Sequence, residues 1–352
     1  MENLLVVIGF FLATLALALV STHLLIRFLK TLGTKNQEEN LMIKWSSQTK
    51  PALGGIVFYI CFIISLLAGF IVADKSLLTD TQLAGMAVTV SLAFFIGLAD
   101  DSYNTRPLLK FIGQASCAAL VILTGIGVNT GHPGWDEMIT VLWIVGIMNS
   151  INMLDNMDGI STNTALFITL FIALALGFRT DMDILGFVAV GLAASLLGFL
   201  KFNRWPSKVF MGDSGSQFLG ATLAILGIVF CWNAPETDSS LWQGLVLAGV
   251  VFWSTINDTI VVTINRIRHG RSPFVGGRDH TTHNLVYLGL SESIVAHVFR
   301  ILGLINVALG FAFAFDYCPI LVPVSYMAII LILSLVITQI NLSKSKFNYN
   351  EN

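Results

Sequence analysis

Asn149-Ser-Ile-Asn152-Met-Leu-Asp155-Asn-Met-Asp158-Gly159-Ile160 separates two apolar runs, Met138 to Met148 and Ala165 to Phe178. Three Asn and two Asp fall within its ten residues from 149 to 158. At the end of an apolar helix such groups need water, a metal or a polar ligand. Asn149, Asn152 and Asp155 are three apart and share one helical face. Gly159 permits a close turn into the next helix. The plainer reading is a solvated helix cap, for which Asn, Asp and Gly are ordinary residues. What favours chemistry is recurrence: other carboxylate-bearing junctions punctuate the chain in the same way.

The composition fixes the setting. The 352 residues are 55% hydrophobic and 11% charged, with a mean hydropathy of +0.80. That is the make-up of a polytopic membrane protein. Runs of roughly 20 apolar residues recur along it. The four cysteines, Cys61, Cys117, Cys231 and Cys318, show neither metal-ligand spacing nor a disulfide framework and read as packing residues. A net charge of -2 gives no sign of a polyanionic partner, and no nucleic acid is expected. Met1 to Ile26 lacks a basic n-region and reads as a retained first span.

Hydropathy predicts an all-α protein of about eleven transmembrane helices. The spans are 4–26, 53–73, 82–99, 108–128, 137–154, 160–178, 184–200, 214–232, 241–264, 294–315 and 320–340. Residues 1–352 form one membrane domain, ending in a polar tail at 341–352. Of the 19 Lys and Arg, all but Lys75 and Arg179 fall on the odd-numbered connections, in the span ends beside them (Lys110 and Arg300), or on the tail. The positive-inside rule then puts the N-terminus outside and the C-terminus in the cytoplasm. Asp100-Asp101, the Asn149 stretch, Asp213 and the Arg266 to His283 loop all come out cytoplasmic.

Each of these junctions carries recognisable chemistry. Asp100 and Asp101 repel one another and gain from a divalent cation nearby; the plainer reading is a turn before Pro107. Lys110 either snorkels to the surface or gives a point charge to a phosphate. Asp213 sits between Gly212 and Gly215 at a helix start, as a cap or, with Asn152 or Asp155, as oxygen ligand to a hard cation. Phe210 packs at the interface or stacks on a base. The loop Arg266-Ile-Arg-His-Gly-Arg271-Ser-Pro-Phe-Val-Gly-Gly-Arg278-Asp-His280-Thr-Thr-His283 suits a diphosphate. Anchoring to anionic lipid would explain its arginines but not its histidine pair. Together these groups suit phosphoryl transfer to or from a lipid.

In five motifs the chain resembles the polyprenyl-phosphate N-acetylhexosamine-1-phosphate transferases: Pro51-Ala-Leu-Gly54-Gly55; Asp100-Asp101 with Lys110; Asn149-x-x-Asn152-x-x-Asp155-x-x-Asp158-Gly159; Phe210-Met-Gly-Asp213-x-Gly215-Ser216; and Arg278-x-His280-x-x-His283. The layout is closest to the branch that primes cell-surface glycans with N-acetylglucosamine. It is less like the peptidoglycan branch, which uses UDP-N-acetylmuramoyl-pentapeptide. The resemblance implies an enzyme of the bacterial cytoplasmic (inner) membrane with its active site facing the cytoplasm. It would pass N-acetylglucosamine-1-phosphate, or a related N-acetylhexosamine-1-phosphate, from a UDP-N-acetylhexosamine to undecaprenyl phosphate, with release of UMP. Mg²⁺, or Mn²⁺ in its place, would be the cofactor, membrane lipid a partner, and a homodimer one option for assembly.

The same resemblance distributes roles. Asp213 would be the principal metal ligand, with Asn152 beside it. Asp100, Asp101, Asp155 and Asp158 would be catalytic, the first two serving the lipid phosphate. Lys110, Asn149, Phe210, Arg271, Arg278, His280 and His283 would bind substrate, Phe210 by stacking on uracil. Two departures stand out: Asn156 where the family usually has Gly, and His280-Thr-Thr-His283 where the related branch reads His-Ile-His-His. The rival class is a transporter, which would place ionisable groups near mid-membrane along a polar path.

Overall fold

The computed structural model describes residues 2–31, 52, 54–73, 76–179, 183–234, 241–272 and 276–344. Pro51 and Leu53 of the first motif, and residues 345–352 of the tail, lie outside them. The described residues form thirteen helices and one isolated parallel bridge, Ala52 to Phe210. The helices are α1 (Glu2–Thr31), α2 (Gly54–Val72), α3 (Asp80–Tyr103), α4 (Pro107–Leu123), α5 (Pro133–Leu154), α6 (Ile160–Arg179) and α7 (Ile184–Asn203). They continue with α8 (Gly212–Gly227, extended by a π turn to Trp232), α9 (Leu241–Val251), α10 (Trp253–Arg268), α11 (Thr281–Tyr287), α12 (Glu292–Ala314) and α13 (Leu321–Lys344).

Nine of these helices are long and apolar enough to cross a membrane. Two expected spans differ from the prediction. The span expected at 108–128 is the 17-residue α4, which stops at Leu123 before a turn with Gly125 at φ +83°. The span expected at 241–264 is not one straight helix but a pair, α9 and α10, bent by 85°. The physical reason lies in α10, which carries Asn257, Asp258, Asn265 and Arg266. A straight continuation of α9 would strand these groups in apolar surroundings. After the bend, Asp258 meets His280 and Arg266 meets Asp279. Phe252 at the break leaves helical geometry at ψ 9°, and its ring packs on Trp143 with centroids 5.0 Å apart.

α8 is the axis of the bundle. Nearly all of it is buried, whereas α1 and α13 turn most of their apolar surface outward. Its first turn is squeezed between α2 and α3. A Cβ built on Gly97 of α3 would lie 2.2 Å from the Asp213 carbonyl oxygen, and one on Gly55 of α2 would lie 2.6 Å from the Gly215 nitrogen. Small residues of this kind let membrane helices approach backbone to backbone. Polar pairs add to the packing deeper in the bundle, such as Trp143 Nε1 donating to the Ala224 carbonyl at 2.9 Å. Each such bond contributes about 0.6 kcal/mol on average within a membrane.

The contacts also sort the connections into two ends. At one end Asp101 and Asn152 join the ends of α3 and α5 to the start of α8, Asp158 ties the α5–α6 connection to the α7–α8 connection, and Arg266 and Asn341 tie the last parts of α10 and α13 to α11 and the residues before it. At the other, Asp183 caps α7 and also accepts from the Leu77 nitrogen, and Asn129 meets Asn233.

Gly97→Ala is expected to lower the melting temperature of the detergent-solubilised protein, equivalent to about 1–3 kcal/mol of overpacking. Gly146→Ala, where an added Cβ meets nothing within 4 Å, is expected to leave it unchanged or raise it. Equal melting temperatures for the two variants would contradict the close-packed first turn of α8.

Candidate active site

The site grows out of the end of α3. Asn104 takes the left-handed conformation (φ 49°) and stops the helix, and Pro107 then starts α4. This tight reversal returns Lys110, one turn into α4, to the helix it came from. Its Nζ lies 2.5 Å from Asp100 Oδ2 and 3.4 Å from Asp213 Oδ1. Asp100 is buried, and its other oxygen accepts from the Thr105 nitrogen at 2.9 Å and the Thr105 hydroxyl at 2.5 Å.

Asp101 points the other way, onto α8. Its two carboxylate oxygens accept from the backbone nitrogens of Asp213 at 2.8 Å and Ser214 at 2.9 Å. The cap of α8 is therefore supplied by another helix, and the macrodipole favours its charge there. Asp213 is not the cap: it is the second residue of the helix, after Gly212 at φ +77°, and its side chain faces Lys110 and Asn152. Asn152 Nδ2 donates to Asp213 Oδ1 and, at 2.8 Å, to Ser216 Oγ.

Beneath this group Gln114 Nε2 donates to Gln217 Oε1 at 3.1 Å and reaches Asn149 Oδ1 at 3.5 Å. Asn149 is thus tied into the polar layer under the carboxylates. Asp155 is the half-buried C-cap of α5. Asp158 holds the connection before α8, its two oxygens accepting from the Ser207 nitrogen at 2.8 Å and hydroxyl at 2.7 Å. Phe210 is half-buried, and its carbonyl accepts from the Gly54 nitrogen at 3.3 Å, fixing the start of α2.

A second polar group is built on α10 and α11. His280 Nδ1 lies 2.8 Å from Asp258 Oδ2, and its ring stands edge-on to His283 with centroids 5.4 Å apart. Arg266 pairs with Asp279 through two bonds of 2.8 and 2.7 Å. Burial first, and the neighbouring His280 second, push the His283 imidazole down to about 3 from its usual 6.5. Arg271 and Arg278 are exposed; residues 273–275 between them lie outside the described ones. Thr282 Oγ1 donates to Asn156 Oδ1 at 2.7 Å, so the α5–α6 junction touches the carboxylate group through Asn152 and the histidine group through Asn156. A cavity lined by Trp253, Ser254, Asn257, Thr281, Asn284 and Tyr326 lies behind the histidines rather than at the carboxylates.

The expected residues thus form two adjoining groups, with Asp100, Asp101, Lys110, Asn152 and Asp213 in direct succession. The sequence reading passed over Gln114 and Asp258. Both lie inside apolar spans, and the signal was there: a polar or ionisable residue within such a run is costly and calls for a partner. Formally, three carboxylates (Asp100, Asp101, Asp213) face one ammonium, leaving an excess of two negative charges. A hard divalent cation fits that oxygen-rich set. Among the described residues no group of three or more His, Cys, Asp or Glu forms a ready metal cage. An ion here would complete its shell with phosphate oxygens and water, as Mg²⁺ usually does.

The family model described as glycosyl transferase family 4 matches residues 83–231. That stretch runs from α3 to the π turn after α8 and contains the whole carboxylate group. The chain is 27% identical over 316 residues to a probable undecaprenyl-phosphate N-acetylglucosaminyl 1-phosphate transferase of Bacillus subtilis, covering 86% of this chain and 84% of the relative. It is 29% identical to a decaprenyl-phosphate N-acetylglucosaminephosphotransferase of Mycolicibacterium smegmatis, covering 70% of this chain and 67% of that protein. It is 27% identical to a phospho-N-acetylmuramoyl-pentapeptide-transferase of Clostridium botulinum, covering 74% and 81%.

The depressed His283 value has a consequence for stability. Its folded pKa lies below its unfolded one, so this histidine's contribution is full above about pH 6.5 and is lost as pH falls toward 3. Between pH 6.5 and 5 the loss is about 2 kcal/mol. The gap in melting temperature between wild type and His283→Gln should therefore shrink on going from pH 7 to pH 5. A gap independent of pH would mean the imidazole is not held neutral.

Proposed function

We propose, from the match of residues 83–231 to the family model described as glycosyl transferase family 4, that this membrane protein transfers an N-acetylhexosamine-1-phosphate from a UDP-sugar to a polyprenyl phosphate. The observation that carries this reading is the carboxylate–lysine–amide group at the start of α8, joined by the α5–α6 junction to the histidine group. N-acetylglucosamine is the proposed sugar and undecaprenyl phosphate the proposed lipid, after the named activities of the relatives. The charge pattern of the connections supports a cytoplasmic site in the inner membrane.

In the proposed reaction an oxygen of the polyprenyl phosphate attacks the sugar-linked β-phosphate. The bond from that phosphorus to the oxygen bridging the two phosphates breaks, and UMP leaves with that oxygen. A phosphate monoester has its second pKa near ~6 and is already largely dianionic at neutral pH, so no dedicated base is required. The geometry supports this. Both oxygens of Asp100 are engaged by Thr105 and Lys110, and both of Asp101 by backbone nitrogens of α8. These two residues hold Lys110 and the α8 terminus in place. Mg²⁺, which Asp213 and Asn152 would hold, would neutralise charge on the diphosphate. Lys110 adds a positive charge beside the same oxygens, and Arg271, Arg278, His280 and His283 would meet the donor from the other side.

Purified protein in mixed detergent–lipid micelles should move label from UDP-N-acetylglucosamine into the lipid phase with equimolar UMP, and EDTA should abolish this. Asp213→Asn should lower the rate about 100-fold or more. Labelling from UDP-N-acetylmuramoyl-pentapeptide instead would assign the other branch. Solute flux into liposomes without a lipid-linked product would favour a transporter and overturn the transferase reading.

A further inference from the structure

We propose that Asp258, on α10, is a positioning residue. It holds His280 in one tautomer and one orientation, so that Nε2 is presented to the donor. The proposal rests on the transferase reading for the identity of that donor, but not for the geometry.

Asp258 is fully buried, and no part of the proposed reaction uses it. Removing a carboxylate from water is expensive unless hydrogen-bond donors surround it. Here three donors do so, all from two consecutive residues. Oδ2 faces His280 Nδ1 at 2.8 Å, while Oδ1 accepts from the Thr281 nitrogen at 2.8 Å and hydroxyl at 2.6 Å. With those contacts filled, Asp258 has no side open for a ligand. Its effect passes through the backbone start of α11 and through one imidazole.

The consequence for that imidazole is specific. A carboxylate opposite Nδ1 requires the proton on Nδ1, which leaves Nε2 as the nitrogen facing away from Asp258. Among the described residues no hydrogen bond to Nε2 accompanies the one at Nδ1. The platform beneath His280 is fastened at two more points: Thr282 to Asn156 at 2.7 Å, and Asn341 of α13 to the Asn284 carbonyl at 2.7 Å. The first of these reaches the junction that carries Asn152. His280 is thereby held in register with the carboxylate group, and Asp258 alone sets which ring nitrogen faces outward.

The test is a double-mutant cycle on kcat/KM for the UDP-sugar, with Asp258→Asn, His280→Ala and the double variant. Melting curves are recorded for each. Asp258→Asn reverses the hydrogen-bond polarity at Nδ1 and should lower kcat/KM about 10–100-fold. Asp258→Glu should recover part of it. In the His280→Ala background, Asp258→Asn should cause no further loss. An equal fold-loss in both backgrounds, or no loss in either, would overturn the proposal. Should Asp258→Asn fail to fold, Asp258→Glu carries the cycle, with a partial loss that disappears in the His280→Ala background.

Protein labelled with [15N]histidine gives a readout that needs no turnover. The His280 ring signals, identified by their loss in His280→Ala, should show Nδ1 protonated in wild type and changed in Asp258→Asn. If wild type transfers no sugar phosphate, the transferase reading has failed and the ring spectrum decides the orienting role. An unchanged ring spectrum with normal turnover removes Asp258 from that role and leaves the transferase reading intact.

Discussion

The ammonium of Lys110 between Asp100 and Asp213 is the contact on which the polar end of this bundle depends. Three carboxylates meet where α3 and α8 touch, and without a cation they would drive those helix ends apart. Lys110 joins the end of α3 and the start of α4 to the start of α8 with one charge, at distances of 2.5 and 3.4 Å. Asn152 adds the end of α5 to the same oxygen of Asp213. Four helices thus converge on one residue, Asp213, and its position is determined by groups 61 to 112 residues away along the chain.

That convergence is possible only because the backbones come close. α8 is buried along nearly its whole length and only partly covered at Gly212 and Asp213, and the first N–H groups of a helix have no partner within it. Asp101 satisfies two of them from α3, and the approach it needs is allowed by the absence of a side chain at Gly97. The same compression fixes α2, whose first nitrogens reach the carbonyls of Phe210 and Met211. Packing and electrostatics are therefore one constraint here: the glycines admit the helix start, and the carboxylates then cap and charge it.

Much of this was legible in the sequence. Asp100, Asp101, Asn152 and Asp213 punctuate apolar runs, and a carboxylate at such a boundary stands out against hydrocarbon. What resisted reading depends on contacts remote in the chain. Asp213, at a helix start, reads in the sequence either as its cap or as an oxygen ligand; only the fold shows that Asp101 performs the capping. Asp158 looked like one more site carboxylate, yet both its oxygens are engaged by Ser207. Hydropathy averaged Asp258 and Gln114 away within spans that are apolar overall. The 85° bend between α9 and α10 escaped for the same reason, since a window average smooths over the change from a wholly apolar helix to one with a polar face.

The separation of the two polar groups has a reason in charge. In the proposed reaction the carboxylate group already carries an excess of negative charge, and both substrates are anions. Like charges at such a site oppose one another, so the positive charge must come from elsewhere. Lys110 is committed to Asp100 and Asp213, and Arg266 to Asp279. In the proposed reaction a divalent ion at Asp213, with Arg271 and Arg278 on the side of the histidine group, would supply that positive charge. Binding of the donor would then draw on both groups at once, with the diphosphate between them. The α5–α6 junction, touching Asp213 through Asn152 and α11 through Asn156, is the element whose length sets the span between them. On that view Asn149 to Ile160 serves as a spacer between an acidic half-site and a basic one, which accounts for its density of short amide and carboxylate side chains.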